Sequence, residues 1–257
     1  MNQEQLLQLV AKHASPPRAL SASNNSLLPG TGFCAVCARP ILATYCQCYR
    51  CDQDQKGEYG GELADQVITL SYAVKGHSQK AQFYSDLFRY KDDQPSRVAQ
   101  NRLLAMVALT RMAHSACFVS EGEFSWVTGV PSTRGRKTLL VELSRVLMPD
   151  VDFLETRFVG NPAVPRDRVL TPDAFEISHR ISGRVLVVED TWVTGSNAQS
   201  LAIQLKRAGA SHVTIVTLAR LLDYRDRETA AYINGGGIDH DWGLQPCPVI
   251  QRDCTSL

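Results

Sequence analysis

Short apolar runs alternate with amphipathic stretches along most of this chain. Short aliphatic or alternating runs indicate strands, whereas apolar residues three or four positions apart indicate one face of a helix. These patterns predict strands at residues 67–74, 124–130, 174–177, 185–188 and 212–218. They predict helices at residues 78–90, 99–117, 138–147, 198–208 and 222–233, and one more before Pro16. Strands that alternate with helices predict an α/β fold, a parallel sheet with helices on both faces.

The segment from residue 184 to residue 209 carries the most distinctive pattern. Its aliphatic run at 185–188 is typical of a strand that is buried on both faces of a parallel sheet. Glu189 and Asp190 follow directly, and Gly209 lies just past the predicted helix, where a C-terminal cap belongs. Between the acids and the helix, small and hydroxylic residues predominate, and the candidate ligand-binding positions are Thr191, Val193, Thr194, Gly195, Ser196 and Asn197.

A strand, a short polar loop and a helix N-terminus together form an anion-binding site, because the loop amides and the helix dipole converge on one point. Gly195 would let the backbone approach a ligand closely. Glu189 and Asp190 would repel a phosphate, so we expect them to face hydroxyls or a cation beside it. A sugar phosphate meets both demands. An ordinary strand-loop-helix turn with surface acids is the plainer alternative.

A second strand-loop-helix unit carries cations. The predicted strand at 124–130 leads into Ser132, Thr133, Arg134, Arg136 and Lys137, and the helix at 138–147 follows. A pyrophosphate suits a loop of this charge, although runs of charge are often merely solvated. Ligands of parallel sheets bind at the carboxyl ends of the strands. Both loops are therefore expected at the same edge of the sheet.

Five of the eight cysteines lie between residues 34 and 51, which indicates a metal site rather than a disulfide framework. Two Cys-x-x-Cys turns, Cys34/Cys37 and Cys48/Cys51, can each present two thiolates to one Zn²⁺. Four thiolates leave no open position, so the predicted zinc is structural. Cys46 is an alternative to Cys48 as the fourth ligand. A redox pair and a set of unrelated core cysteines are the weaker interpretations.

Length and charge limit the function classes. A chain of 257 residues suits one α/β domain with a small accessory module, and a net charge of +1 gives no general support for nucleic-acid binding. No uncharged apolar stretch approaches the length of about 20 residues of a membrane span. The polar N-terminus lacks the pattern of a signal peptide, so we expect a cytoplasmic protein with reduced thiols.

The run from residue 184 to residue 200 resembles the phosphoribosyl-pyrophosphate (PRPP) motif of type I phosphoribosyltransferases. That motif is a hydrophobic strand, two acids, two variable residues and then Thr-Thr-Gly-x-Thr. Here Glu189 stands for the first acid, Val193 for the first Thr and Asn197 for the last Thr, while Asp190, Thr194 and Gly195 are in register. With the cysteine segment in front, the chain resembles the ComF-type, competence-associated members of that group. The resemblance covers residues 33–222, but the basic stretch at 134–138 and the C-terminal 235–257 depart from the pattern.

This resemblance implies three parts: an N-terminal helix and linker at 1–32, a zinc-ribbon-like module at 33–60 and a phosphoribosyltransferase-like domain at 61–257. The implied reaction transfers phosphoribosyl from PRPP to a nitrogen acceptor, with Mg²⁺ as cofactor and release of pyrophosphate. Glu189 and Asp190 would hold the ribose hydroxyls, directly or through Mg²⁺, and the loop at 194–197 would hold the 5′-phosphate. Ser132, Thr133 and Arg134 would hold pyrophosphate, and Arg136 or Lys137 would reach the leaving group.

The acceptor, a base or an amine, is the open point. A glycine run at 235–237 precedes Trp242, which could stack on a base, although a tryptophan packed on the core is the simpler interpretation. One alternative function is a PRPP-binding regulator, or a DNA-uptake accessory protein, without turnover. Nucleic acid is disfavoured, and the cysteine module is where it would bind. Assembly as a homo-oligomer stays open.

Overall fold

The structure is a computed structural model that describes residues 3–13, 32–77, 82–120, 122–135, 139–161, 169–237 and 247–249. The helices in these ranges are α1 (Gln3–His13), α2 (Tyr49–Lys56), α3 (Gln82–Arg89), α4 (Arg97–Ser120), α5 (Leu140–Leu147), α6 (Ser196–Ala208) and α7 (Arg227–Asn234). The strands are β1 (Gln66–Thr69), β2 (Tyr72–Lys75), β3 (Trp126–Gly129), β4 (Asp152–Phe153), β5 (Thr156–Phe158), β6 (Phe175–Ile177), β7 (Arg184–Trp192) and β8 (His212–Asp223). Single 3₁₀ turns form at Gly60–Glu62 and Pro172–Ala174.

The main sheet is parallel, with the strand order β1-β8-β7-β3-β4, and β2 also pairs with β8. Strand β7 lies between β3 and β8, which pairs Val188 with Gly129 on one side and with Val216 on the other. Strands β5 and β6 form a separate antiparallel pair. A parallel sheet flanked by helices was the prediction from the alternating patterns, and it is confirmed.

Aliphatic side chains fill the centre of the sheet, as the run at 185–188 predicts. All four residues of that run are fully buried. Helix α6 packs against β7 and β8, while α4 packs against α1, α3 and α5. At the end of α6, Gly209 adopts a left-handed backbone with φ of 119°, so the predicted C-terminal cap is present.

Several predicted boundaries differ from the structure. The strand predicted at 67–74 is divided at Leu70 and Ser71 into β1 and β2, which pair with β8 in one continuous register. The chain stays bonded to β8 between them, because Leu70 N donates to Thr217 O and Arg220 N donates to Ser71 O. Strands β7 and β8 both run further than predicted, since they continue to pair as far as Trp192 and Arg220. The acid pair therefore belongs to a strand rather than to a loop, and the helix predicted from residue 222 begins only at Arg227.

Helix α4 contains a kink at His114, where φ is −130° and ψ is 16°. By length and composition alone, it is the one helix among the described residues that could cross a membrane. Half of its most apolar window of 18 residues is buried within the fold, and the core helix of a soluble protein passes the same test. The absence of a membrane span therefore stays a prediction.

Candidate functional site

The loops that follow β3 and β7 open into one cleft at the carboxyl edge of the sheet, with a volume of about 520 Å³. The root of the first loop is fixed to the central strand, because Val130 N donates to Val188 O at 3.0 Å. Arg136, Lys137 and Trp242 lie outside the described residues. All of the other positions predicted to bind the sugar phosphate line this cleft: Ser132, Thr133, Arg134, Glu189, Asp190, Thr191, Val193, Thr194, Gly195, Ser196 and Asn197.

The acid pair lies in the extended part of β7, where successive side chains point to opposite faces. Asp190 is buried, and Lys91 Nζ lies 2.7 Å from its Oδ2. The hydroxyl of Tyr90 also donates to this carboxylate. Glu189 is held differently, since the Asp190 amide donates to its Oε1 at 3.2 Å. The two acids therefore have different environments, although they are adjacent in sequence.

These environments shift the pKa values of Glu189 and of Tyr90. Burial, reinforced by the charge of Asp190, raises the pKa of Glu189 to about 8. Burial is also the main reason that the pKa of Tyr90 is raised. This phenol therefore stays protonated and donates a hydrogen bond to Asp190. Lys91 lines the cleft and brings a positive charge to the acid pair. An anionic ligand with hydroxyl groups meets a cation and two carboxyl groups at this edge.

The loop after β7 has the backbone of an anion site. Gly195 adopts a left-handed conformation, with φ of 81°, and is the residue from which α6 begins. The hydroxyls of Thr194 and Ser196 lie 3.0 Å apart. Amides in the first turn of a helix have no hydrogen-bond partner within the helix, and they lie at the positive end of its dipole. Loop and helix together can therefore hold a phosphate.

The loop after β3 adds hydroxyls and a cation on the other side of the cleft. Ser132 and Thr133 are half-buried, while Arg134 is exposed. The Arg134 amide donates to Ser132 Oγ at 3.3 Å, which fixes the turn. This arrangement leaves the guanidinium of Arg134 able to meet a second anionic group in the same cleft.

The four sulfurs of Cys34, Cys37, Cys48 and Cys51 form a second, buried cluster, with all Sγ atoms within 4.8 Å of one another. Cys46, the alternative ligand, is exposed and is not in this cluster. Zn–S bonds of about 2.3 Å in a tetrahedron imply sulfur atoms about 3.8 Å apart. The Sγ atoms of Cys37 and Cys48 are 3.8 Å apart. The donor set fits a closed zinc site.

Two local structures bring these thiols together. The first pair lies in a tight turn that ends at Ala38, which has φ of 56° and whose amide donates to Cys34 O at 2.9 Å. In the second pair, Cys48 is the N-cap of α2 and Cys51 lies in its first turn. All four cysteines pack in the same hydrophobic core as the strands of the main sheet.

Two features were not found by sequence reasoning. Arg220 is a buried cation in β8, and the only sequence signal is one charge in an otherwise uncharged run at 213–222. His114, Cys117 and Cys247 are buried, and their donor atoms lie within 4.8 Å of one another. Sequence reasoning treated these three residues as separate. They offer three donors, one fewer than a closed structural zinc site uses.

Comparisons with known proteins give two distant structural similarities. No protein-family description matches the chain, and no curated protein matches it significantly. A crystal structure of adenine phosphoribosyltransferase aligns with 50% of this chain and 81% of its own, at 17% identity and a TM-score of 0.31. Leishmania donovani UMP synthase aligns with 55% of this chain and 28% of its own, at 17% identity and a TM-score of 0.28. This chain thus matches under a third of that synthase, and the likeness concerns the fold alone.

We predict that Gly195→Ala destabilises the protein and distorts the loop. A Cβ at this position would lie 2.1 Å from the Trp192 ring, on a backbone with φ of 81°. The left-handed backbone alone costs a non-glycine residue roughly 1–2 kcal/mol, so we expect the free energy of unfolding to fall by about 1–3 kcal/mol in urea denaturation.

Gly61→Ala is the matched control, because a Cβ there has no atom within 4 Å. It should change the free energy of unfolding by no more than about 0.5 kcal/mol. Equal stability of the two variants would contradict the assigned role of Gly195.

Proposed function

We propose that the chain is a type I phosphoribosyltransferase of the ComF type, which binds PRPP with Mg²⁺ in the strand-end cleft. One observation carries the proposal: two loops with anion-binding character and an acid pair share a single cleft. PRPP has the complementary chemistry, since a ribose with free hydroxyls lies between a 5′-phosphate and a pyrophosphate.

In the proposed complex, the amides and hydroxyls at Thr194, Gly195, Ser196 and Asn197 hold the 5′-phosphate. Ser132, Thr133 and Arg134 hold the pyrophosphate, and Arg136 and Lys137 remain the candidates that contact it as it leaves. Bound Mg²⁺ would supply Lewis-acid stabilisation of the departing pyrophosphate. The ribose hydroxyls face Glu189 and Asp190.

The protein contributes little covalent chemistry to the proposed reaction. A nitrogen of the acceptor attacks C1 of the ribose, the bond from C1 to the pyrophosphate oxygen breaks, and its electron pair leaves with pyrophosphate. Positive charge develops on the ribose ring, where the carboxylate of Asp190 can stabilise it. Lys91 and Tyr90 hold that carboxylate in place, so positioning and electrostatics supply the proposed catalysis.

We predict that the double variant Glu189→Gln with Asp190→Asn binds PRPP about a hundredfold more weakly, since it removes the charged acceptor at position 190 and the carboxyl group at position 189. Amides keep the shape of both side chains, and the amide oxygen at position 190 leaves one acceptor for the donors Lys91 and Tyr90, which an alanine there would not. Isothermal titration with PRPP and Mg²⁺ measures the affinity.

Glu176→Gln is the control, because this exposed acid pairs with Arg157 on the separate β5–β6 sheet. It should bind PRPP as tightly as the unmodified protein. Unchanged affinity in the double variant would overturn the assignment of the acid pair to ribose.

A regulator that binds PRPP without turnover is the second candidate. The first hydroxyl position of the loop is occupied by Val193, which is half exposed at the cleft and cannot donate to a phosphate. Pyrophosphate release with a panel of nucleobases and amines distinguishes the two. Release with any acceptor supports the enzyme, whereas PRPP binding without release from any acceptor supports the regulator.

A role in DNA uptake through the cysteine module has less support. Arg39 is paired with Asp226 and Arg50 with Asp54, so the two arginines of the module are already neutralised by carboxylates.

Tyr45 and Tyr49 are exposed beside a groove of about 750 Å³. That groove and Trp242 are the two places where we propose to look for the acceptor. A cytoplasmic location remains part of the proposal.

We further propose one structural Zn²⁺ held by Cys34, Cys37, Cys48 and Cys51. Elemental analysis of the purified protein should find about one equivalent of zinc. Cys37→Ser should lose the metal and lower the melting temperature, because binding and folding of such a cluster are coupled. Cys46→Ser is the control and should keep both the metal and the stability, since this thiol is outside the cluster.

Metal-free protein with the full melting temperature would contradict the structural role. Loss of zinc from Cys46→Ser, together with its retention in Cys48→Ser, would instead assign Cys46 as the fourth ligand.

A further inference from the structure

Apart from the cleft and the four-cysteine cluster, the structure brings together three buried donors: His114, Cys117 and Cys247. One ring nitrogen of His114 and the two Sγ atoms all lie within 4.8 Å of one another. The first two residues belong to α4, whereas Cys247 comes from the segment at 247–249. We call this set the His-Cys cluster. The proposed PRPP complex makes no use of it.

Helix α4 presents two of these donors side by side. His114 and Cys117 are three positions apart, a spacing that places both side chains on one face of a helix. The helix is broken at His114, where φ is −130° and ψ is 16°. Its sequence from Arg97 to Ser120 contains neither proline nor glycine, the residues that usually break a helix. The break coincides instead with one of the three donors.

The third donor reaches α4 because its segment is anchored in the core. Cys247 and Val249 are both buried, and they pack in the same hydrophobic cluster as Cys117. The carbonyl oxygen of Val249 also accepts from Gln66 Nε2, at the start of β1, at 3.4 Å. The His-Cys cluster therefore joins two parts of the chain that are far apart in sequence.

The distances suit a metal ion. Zinc–sulfur bonds of about 2.3 Å and zinc–nitrogen bonds of about 2.0 Å imply a nitrogen and a sulfur ligand about 3.6–3.8 Å apart. Cys117 Sγ and His114 Nδ1 are 4.0 Å apart. Only a small movement would bring these two atoms to the separation of ligands, and the Sγ of Cys247 lies within the same range.

The charge of the complex selects the ion. Thiolate and imidazole donors suit zinc and monovalent copper. Two thiolates and a neutral imidazole give no net charge with Zn²⁺, whereas they leave a net negative charge with Cu⁺. A net charge is costly at a site whose three donors are all buried, so Zn²⁺ fits best. Zinc sites with three protein donors keep a fourth position for water or another small ligand.

We propose that His114, Cys117 and Cys247 bind a zinc ion of their own, which ties residues 247–249 to α4. The geometry of the three donors carries this inference. It requires neither PRPP nor zinc in the four-cysteine cluster. Because metal binding is coupled to local folding, the ion would stabilise the docking of this segment on the helix.

Elemental analysis of three variants tests the site: His114→Gln, Cys117→Ser and Cys247→Ser. Each should contain about one equivalent of zinc less than the unmodified protein, because the three donors share one ion. Ser115→Ala is the matched control, since this residue is exposed in the same turn of α4, and it should keep the full zinc content. The readout is a difference, so it does not depend on zinc in the four-cysteine cluster. Full zinc content in any of the three variants, or loss of copper in place of zinc, would contradict the proposal.

X-ray absorption at the zinc edge of the unmodified, tag-free protein needs no variant, so it decides the question even if the variants fail to fold. The proposal predicts an imidazole among the zinc ligands, and sulfur ligands alone would overturn it. A disulfide between Cys117 and Cys247 would overturn it as well, because an oxidised pair offers no thiolate. Mass spectrometry after alkylation without reductant detects such a bond.

Discussion

The parallel pairing of β7 with β3 and β8 is the constraint on which the rest of the structure depends. It buries the run at 185–188 completely and continues through the acid pair as far as Trp192. Because the strands are parallel, the loops after β3 and β7 must leave the sheet at the same edge. The pairing also places Arg220 of β8 opposite Trp192, where its guanidinium reaches the loop carbonyls. Geometry at the cleft is thus a consequence of strand register.

The cysteine segment is part of this arrangement rather than an appendage. Its four thiols pack in the same core as the sheet, and its helix α2 contacts Ser196, at the start of α6, through Arg50. A buried cation, Arg220, holds the backbone of the loop after β7, because its Nη1 donates to Val193 O at 2.6 Å. A buried charge of this kind is costly unless it has partners, and the loop carbonyls are such partners.

Much of the fold could be predicted from the sequence, because the patterns that indicate its strands, helices and caps are local. The run at 185–188, the cap at Gly209 and the alternation of strands with helices follow from short-range patterns. The full length of β7 could not be predicted. A polar segment after an apolar run, such as the one that begins at Glu189, is interpreted as a loop until its partner strand is known. The same holds for Asp190, whose contacts with Tyr90 and Lys91 join positions about a hundred residues apart in sequence. Spacing alone left Cys46 and Cys48 as alternatives, and only the three-dimensional structure separates the exposed thiol from the buried one.

The central claim is that the two strand-end loops bind one ligand together. Hydrogen exchange with PRPP and Mg²⁺ tests it most directly, because each loop is followed separately in one sample. The account predicts slower exchange in both loops, at 131–135 and at 193–198, over the same range of PRPP concentration. Protection of only one loop, or of neither while the ligand binds elsewhere, would contradict it.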